Sequence, residues 1–276
     1  MNRILLISSL VVFCAFAKAQ PVLVTDVTGD ENIFHAQTKQ MNQFFRRFNC
    51  EEDISGNAYP KTDPQYRNSI LRKVFLAGLF DNETSKVSQE LKQEFIQNMT
   101  DSSASQFLNF YKTGWYAEIT AKVKYKGKNS DILFFLKLKA EDLGYKWIFS
   151  NLYFQPYISM FTTDTAKHPP FIHPMSHELD FMNLNKVFNN PANIEVYAQN
   201  PYRPSYLSIF FYEIKKSDIK FVSVEKVKFH FFQIQGWYFE VSFLNRKSYN
   251  SGWLITNLLK VNADDKQRMI QTTFEE

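Results

Sequence analysis

Between Trp115 and Tyr125 the chain alternates. Trp115, Ala117, Ile119, Ala121, Val123 and Tyr125 are apolar, and Tyr116, Glu118, Thr120, Lys122 and Lys124 between them are mostly polar. Successive side chains of an extended strand point to opposite faces, so this period of two predicts a strand with one face buried. The run KGKNSD after it predicts a turn from its Gly, Asn and Asp, ILFFLKLK predicts a returning strand, and Trp147 opens a third. The same order recurs downstream. FVSVEKVKFHFFQIQ leads to a turn at Gln235-Gly236, WYFEVSFL returns, NRKSYNSG turns again, and Trp253 opens the last strand.

Ahead of each meander the period lengthens to that of a helix. Ile70, Leu71, Val74, Phe75 and Leu79, then Leu91, Phe95 and Ile96, recur at spacings near three and four. In the second half Leu179, Met182, Leu184, Val187 and Phe188 do the same, with Ser176 as an N-cap, and so do Leu207, Phe210, Phe211 and Ile214.

Local sequence repeats as well as order. GYKWIFSNLYF, from Gly144, is answered by SGWLITNLLKV, from Ser251, and AKVKY at Ala121 by EKVKF at Glu225. Two copies without a shorter period predict a duplicated α+β domain rather than a solenoid. The expected organisation is a segment 1–19 removed on export, a first domain 33–157, a linker 158–174 containing several prolines, a second domain 175–263 and a tail 264–276.

Gly144-Tyr145-Lys146-Trp147-Ile148 and Gly252-Trp253-Leu254-Ile255 resemble the late strand of the NTF2-like (nuclear transport factor 2-like) superfamily, over about 35–155 and 172–262. The resemblance implies helices packed on a curved antiparallel sheet, a cystatin-like cone enclosing a cavity. In that superfamily the outer sheet face often serves as a dimer interface. A tandem chain would cover it internally as a pseudo-dimer, the sheet of one copy packing on that of the other.

Composition changes the picture at the N-terminus. Arg3, the apolar run Ile4 to Phe16 and Ala17-Lys18-Ala19 have the form of a cleaved secretory signal, which places the mature protein in the periplasm, on the outer envelope surface or outside the cell. Cleavage removes Arg3 and Lys18 and takes the formal charge from +4 to +2, leaving no basic arm for nucleic acid. It also removes Cys14. Cys50 is then the only cysteine, so no internal disulfide can form and the core must hold by burial. No transmembrane segment is expected after cleavage. Asp164-Thr165-Ala166 resembles an O-glycosylation acceptor of Bacteroidetes, with Thr165 as the modified residue, and the ending AKAQ resembles exports of that phylum. Asn82 and Asn98 stand in N-glycosylation sequons, which have meaning only in a eukaryotic host.

Candidate chemistry is sparse. His168, His173 and His177 could offer imidazoles to a metal, but Pro174 breaks the helix that would align His173 with His177. Glu225 aligns with Ala121 of the first copy, an apolar-face position where a carboxylate would have a raised pKa and could act as a general base. A bulge near Val222 and Val224 would instead turn it to solvent. Trp115, Trp147, Trp237 and Trp253 could line a pocket for an apolar ligand or simply fill cores. No P-loop, dinucleotide fingerprint, nucleophile elbow or EF-hand occurs, and no cofactor is expected.

These features favour a non-enzymatic exported module that binds a partner protein, glycan or small apolar ligand. The alternative is a small cavity enzyme, a hydrolase or isomerase, with Glu225 as base. Intact-mass measurement of protein recovered from the producing cell should give a chain that begins at Gln20; a chain retaining Met1 would refute export by cleavage.

Overall fold

A two-residue turn sets the first hairpin. Lys126 and Gly127 take φ of 47° and 84°, the left-handed geometry whose twist matches that of paired strands. Strand β1 (Trp115–Tyr125) therefore reverses directly into β2 (Lys128–Glu141), and Asn129, Ser130 and Asp131 lie in the ladder instead of extending the turn. The computed structural model describes residues 41–276 apart from 143, 162–187, 190–193, 196, 199–201, 203 and 248–249. Strand β3 (Gly144–Tyr153) completes the first meander. Strands β4 (Ile219–Phe231), β5 (Trp237–Leu244) and β6 (Gly252–Lys260) form the second.

The two meanders meet edge to edge. β1 pairs antiparallel with β4, from Trp115 opposite Phe231 to Tyr125 opposite Ile219, and the result is one six-stranded sheet in the order β3-β2-β1-β4-β5-β6. The α+β class expected from sequence is present. A separate cone for each half, with one sheet packed on the other, is not: the unpaired edges of β1 and β4 satisfy each other's backbone groups, which face-to-face stacking would have left open.

Helices cover the apolar face at both ends. A helix α1, described over 41–49, packs with α2 (Ser69–Gly78) and α3 (Gln89–Thr100) on one end. There Phe44, Phe48, Leu76, Phe95 and Met99 meet Trp115, Phe231, Phe239 and Ile255. At the other end α4 (Gln155–Met160) and α5 (Tyr206–Lys215) bring Tyr157 and Phe210 onto Val123, Ile132, Phe134 and Leu152. Asn68 and Ser88 cap α2 and α3 by accepting from their first backbone N–H groups. On the opposite face α6 (Ala263–Met269), continued by a π-helical turn Ile270–Phe274, places Phe274 against Tyr116, Phe135 and Phe232.

The helical period at α2 is real, but its inward side carries a charge among Leu76, Leu79 and the partly buried Leu71 and Phe75. Ile70 and Val74 are 73% and 67% exposed, while Arg72 and Leu76 are buried. The Arg72 guanidinium donates to the carbonyls of Phe48 (2.9 Å), Met99 (2.6 Å) and Gln106 and lies over the Phe107 ring. Burial lowers its pKa to about 10, so it stays charged at neutral pH and ties α1, α3 and the segment after α3 to one point.

Trp147 and Trp253 hold non-equivalent places. Trp147 lies edge-on to Trp115, the first residue of β1, with centroids 4.9 Å apart. A two-fold repeat would set Trp253 beside the first residue of β4, but it packs on Phe229 near that strand's end, at 5.1 Å. Phe229 also meets Trp147, at 6.3 Å, so both rings feed one core. Denaturant unfolding should accordingly show a single transition. Trp253→Ala should cost about 3–5 kcal/mol and the half-buried Trp147→Ala about half of that. The double variant should depart from additivity by at least about 0.5 kcal/mol through their shared neighbour.

Candidate functional site

The second face of the sheet carries a chain of ionisable groups across its three adjoining strands. Glu118 on β1 faces Lys228 on β4, and His230 on β4 faces Glu240 on β5, which faces Asn257 on β6. All sit on the polar side of alternating strands, so their side chains meet. His230 Nε2 lies 2.8 Å from Glu118 Oε2 and its Nδ1 lies 2.7 Å from the Tyr238 hydroxyl. Tyr238 donates to Glu240 at 2.9 Å, Asn257 donates to the same carboxylate at 3.1 Å, and Lys228 approaches it at 3.0 Å.

The carboxylates define the pattern. Glu118 accepts from His230 Nε2, Glu240 accepts from the Tyr238 hydroxyl, and Lys228 lies between the two carboxylates, 3.7 Å from Glu118 and 3.0 Å from Glu240. Burial alone would raise the Glu118 carboxyl, but its hydrogen bond and charge interaction with His230, with Lys228 beside it, outweigh that and hold it below its ordinary 4.5. Glu240 follows the same logic: burial raises it, and Asn257 and Lys228 bring it below the ordinary range. Burial, reinforced by Glu240, pushes the Tyr238 hydroxyl far up, so it serves as a hydrogen-bond donor and not as a base.

A cleft opens beside this network. β5 pairs with β4 only from Lys228 to Phe231, and over 219–227 the outer edge of β4 has no strand partner among the described residues. The gap is bounded by the loop around 81–87, which Arg246 pins by its 2.8 Å pair with Asp81. Its volume is about 510 Å³, and Lys226, Lys228, Glu240, Ser242, Thr256 and Asn257 are among its lining.

Sequence reading singled out different residues. Glu225 is the extra residue of a bulge: Thr120 faces Lys226 and Ala121 faces Val224, which turns Glu225 outward. Its carboxylate accepts from Ser223 (2.7 Å) and pairs with Lys122 (3.5 Å), and these hold its pKa below the ordinary value, the reverse of what a general base needs. Trp115, Trp237 and Trp253 are buried and Trp147 half-buried in one core, and Trp253 and Trp237 border two separate clefts. Thr165, His173 and His177, and the signal segment, lie outside the described residues. Among the described residues no group of three or more His, Cys, Asp or Glu side chains is placed to hold a metal ion. No helix of theirs is long and apolar enough to cross a membrane. Glu118, Lys228, His230 and Glu240 read in sequence as ordinary solvent-face positions. The available signal was opposite charges at facing positions, which requires the β1–β4 register.

Replacing His230 by Phe leaves Glu118 and Tyr238 without their partner and should destabilise the protein by about 3 kcal/mol. Because Glu118 and Glu240 are held below 4.5, the unfolded chain binds protons in that range that the folded chain does not. Their contribution is therefore complete above about pH 4.5 and lost as pH falls through the lowered values. Urea titrations between pH 3 and 6 should show this fall, and Glu118→Gln should make it shallower. Set against protein-family models, curated proteins and solved structures, the chain matches none.

Proposed function

We propose that this is an exported, non-enzymatic module of the cell envelope or its surroundings that binds a partner protein through the cleft beside β4. The observation that carries the reading is the state of the ionisable groups there. Glu240 is matched by Lys228, Glu225 by Lys122 and Asp81 by Arg246, so each carboxylate bordering the cleft is already neutralised by the protein's own cation. A general base needs an unspent acceptor with a pKa near the working pH, and these carboxyls are all held low. The cleft's Ser, Thr and Asn lining argues against a small apolar ligand, and the aromatic residues that would receive one are spent on the core. Export follows from the N-terminal signal pattern, and nothing in the chain's charge recommends nucleic acid.

A photo-crosslinking residue placed at Lys226 and irradiated in the producing cells should give a discrete adduct with a second protein. Adducts only with itself, or an esterase or isomerase activity that disappears in Glu225→Gln, would overturn the binding reading.

A further inference from the structure

Three observations converge on the outer edge of β4. First, a strand position is empty: β5 occupies the place beside β4 at 228–231 and leaves it open over 219–227, where the backbone N–H and C=O groups directed away from β1 have no partner among the described residues. Second, the acids nearby are spent and the lysines are not. Lys86, Lys124, Lys220 and Lys226 form no ion pair among the described residues, whereas Glu225, Glu240 and Asp81 all do. Lys124 and Lys220 stand directly opposite each other across β1 and β4, a like-charge pairing that costs stability unless an anion comes between them. Third, the other face of the same edge is apolar and covered only in part: Ile219 and Val227 are buried, Val224, opposite Ala121, is half-buried, and Phe221, opposite Val123, is 64% exposed.

We infer that β4 accepts an extended acidic peptide as an added strand, its backbone pairing with 219–227, its carboxylates at every second residue meeting Lys220 and Lys226, and its intervening apolar side chains covering Phe221 and Val224. Main-chain pairing supplies the affinity of such strand addition and the alternate side chains its selectivity. Lysines on a free edge also deter pairing with a second copy of that edge. Here the same charges that repel another β4 admit a strand of opposite sign. The inference rests on the binding reading above and names the chemistry of the partner.

The test uses the full mature chain and three fluorescent peptides of about nine residues, the length that spans the open edge. One alternates Glu with Val and Thr, one replaces every Glu by Lys, and one is the acidic peptide N-methylated at every second residue. Anisotropy titrations should show binding of the acidic peptide, with the basic and N-methylated peptides weaker by at least about tenfold. A Lys220→Glu, Lys226→Glu variant of unchanged Tm should lose the acidic peptide and gain the basic one. Equal binding of the N-methylated peptide would overturn strand addition in favour of plain charge attraction. A single-stranded oligonucleotide that competes as well as the acidic peptide would overturn the choice of partner. If no peptide binds but Lys226 still cross-links to a protein in cells, strand addition fails while the binding reading stands; if neither occurs, both fail.

Discussion

The pairing of β1 with β4 is the constraint on which the remaining structure depends. Each meander alone would be three strands with a long free edge, and the ladder from Trp115–Phe231 to Tyr125–Ile219 closes both edges at once. It brings Trp115 and Phe231 into a parallel stack with centroids 5.6 Å apart and an 8° tilt, around which Phe45 and Phe229 pack. It sets Glu118 against Lys228 and within reach of His230, so the polar network exists only because strands from the two halves share a register. It also creates the cleft, since β4 is longer than β5 and β1 holds it extended past the point where β5 leaves.

Buried charge is handled in two different ways on the two faces. Arg72 is surrounded by neutral carbonyl oxygens and an aromatic face, an environment that satisfies a guanidinium's donors without a counter-charge. On the second face Lys228 lies between the Glu118 and Glu240 carboxylates, with an imidazole, a phenol and an amide filling the remaining sites. In both places losing one member leaves the others buried without a partner.

Much of the local structure was legible. The period of two located β1, because side chains that alternate between a packed face and a wetter one leave that mark in a sequence; turn residues bracketed β2, β4 and β5, and the repeated Trp stretches marked β3 and β6. The helical period located α2, α3 and α5, although at α2 Ile70 and Val74 face outward and Arg72 inward. No propensity rule reveals that three carbonyls from distant segments would converge on Arg72. Hairpin partners were legible for the same reason that they are close in sequence. The joining of β1 to β4 was not, since it depends on which of two apolar edges is satisfied by the other. The candidate site went with it: Glu118, Lys228, His230 and Glu240 each look like a solvated residue until their strands are laid side by side. The repeated Trp pointed to equivalence of place, but the core required only that both rings reach Phe229.

Glu118 and His230 are 112 residues apart in the chain. At ordinary synthesis rates roughly 6–20 s pass between the appearance of one and of the other. Through that interval the first meander exists with β1 unpaired, presenting an alternating apolar edge to whatever is near, and closing the intervening loop carries an entropic cost that short hairpins do not meet. The centre of the sheet can thus form only after the whole first meander has been made. The half-made protein is a β-edge in search of a strand, and a holding chaperone or passage in unfolded form would suit it better than folding as it emerges.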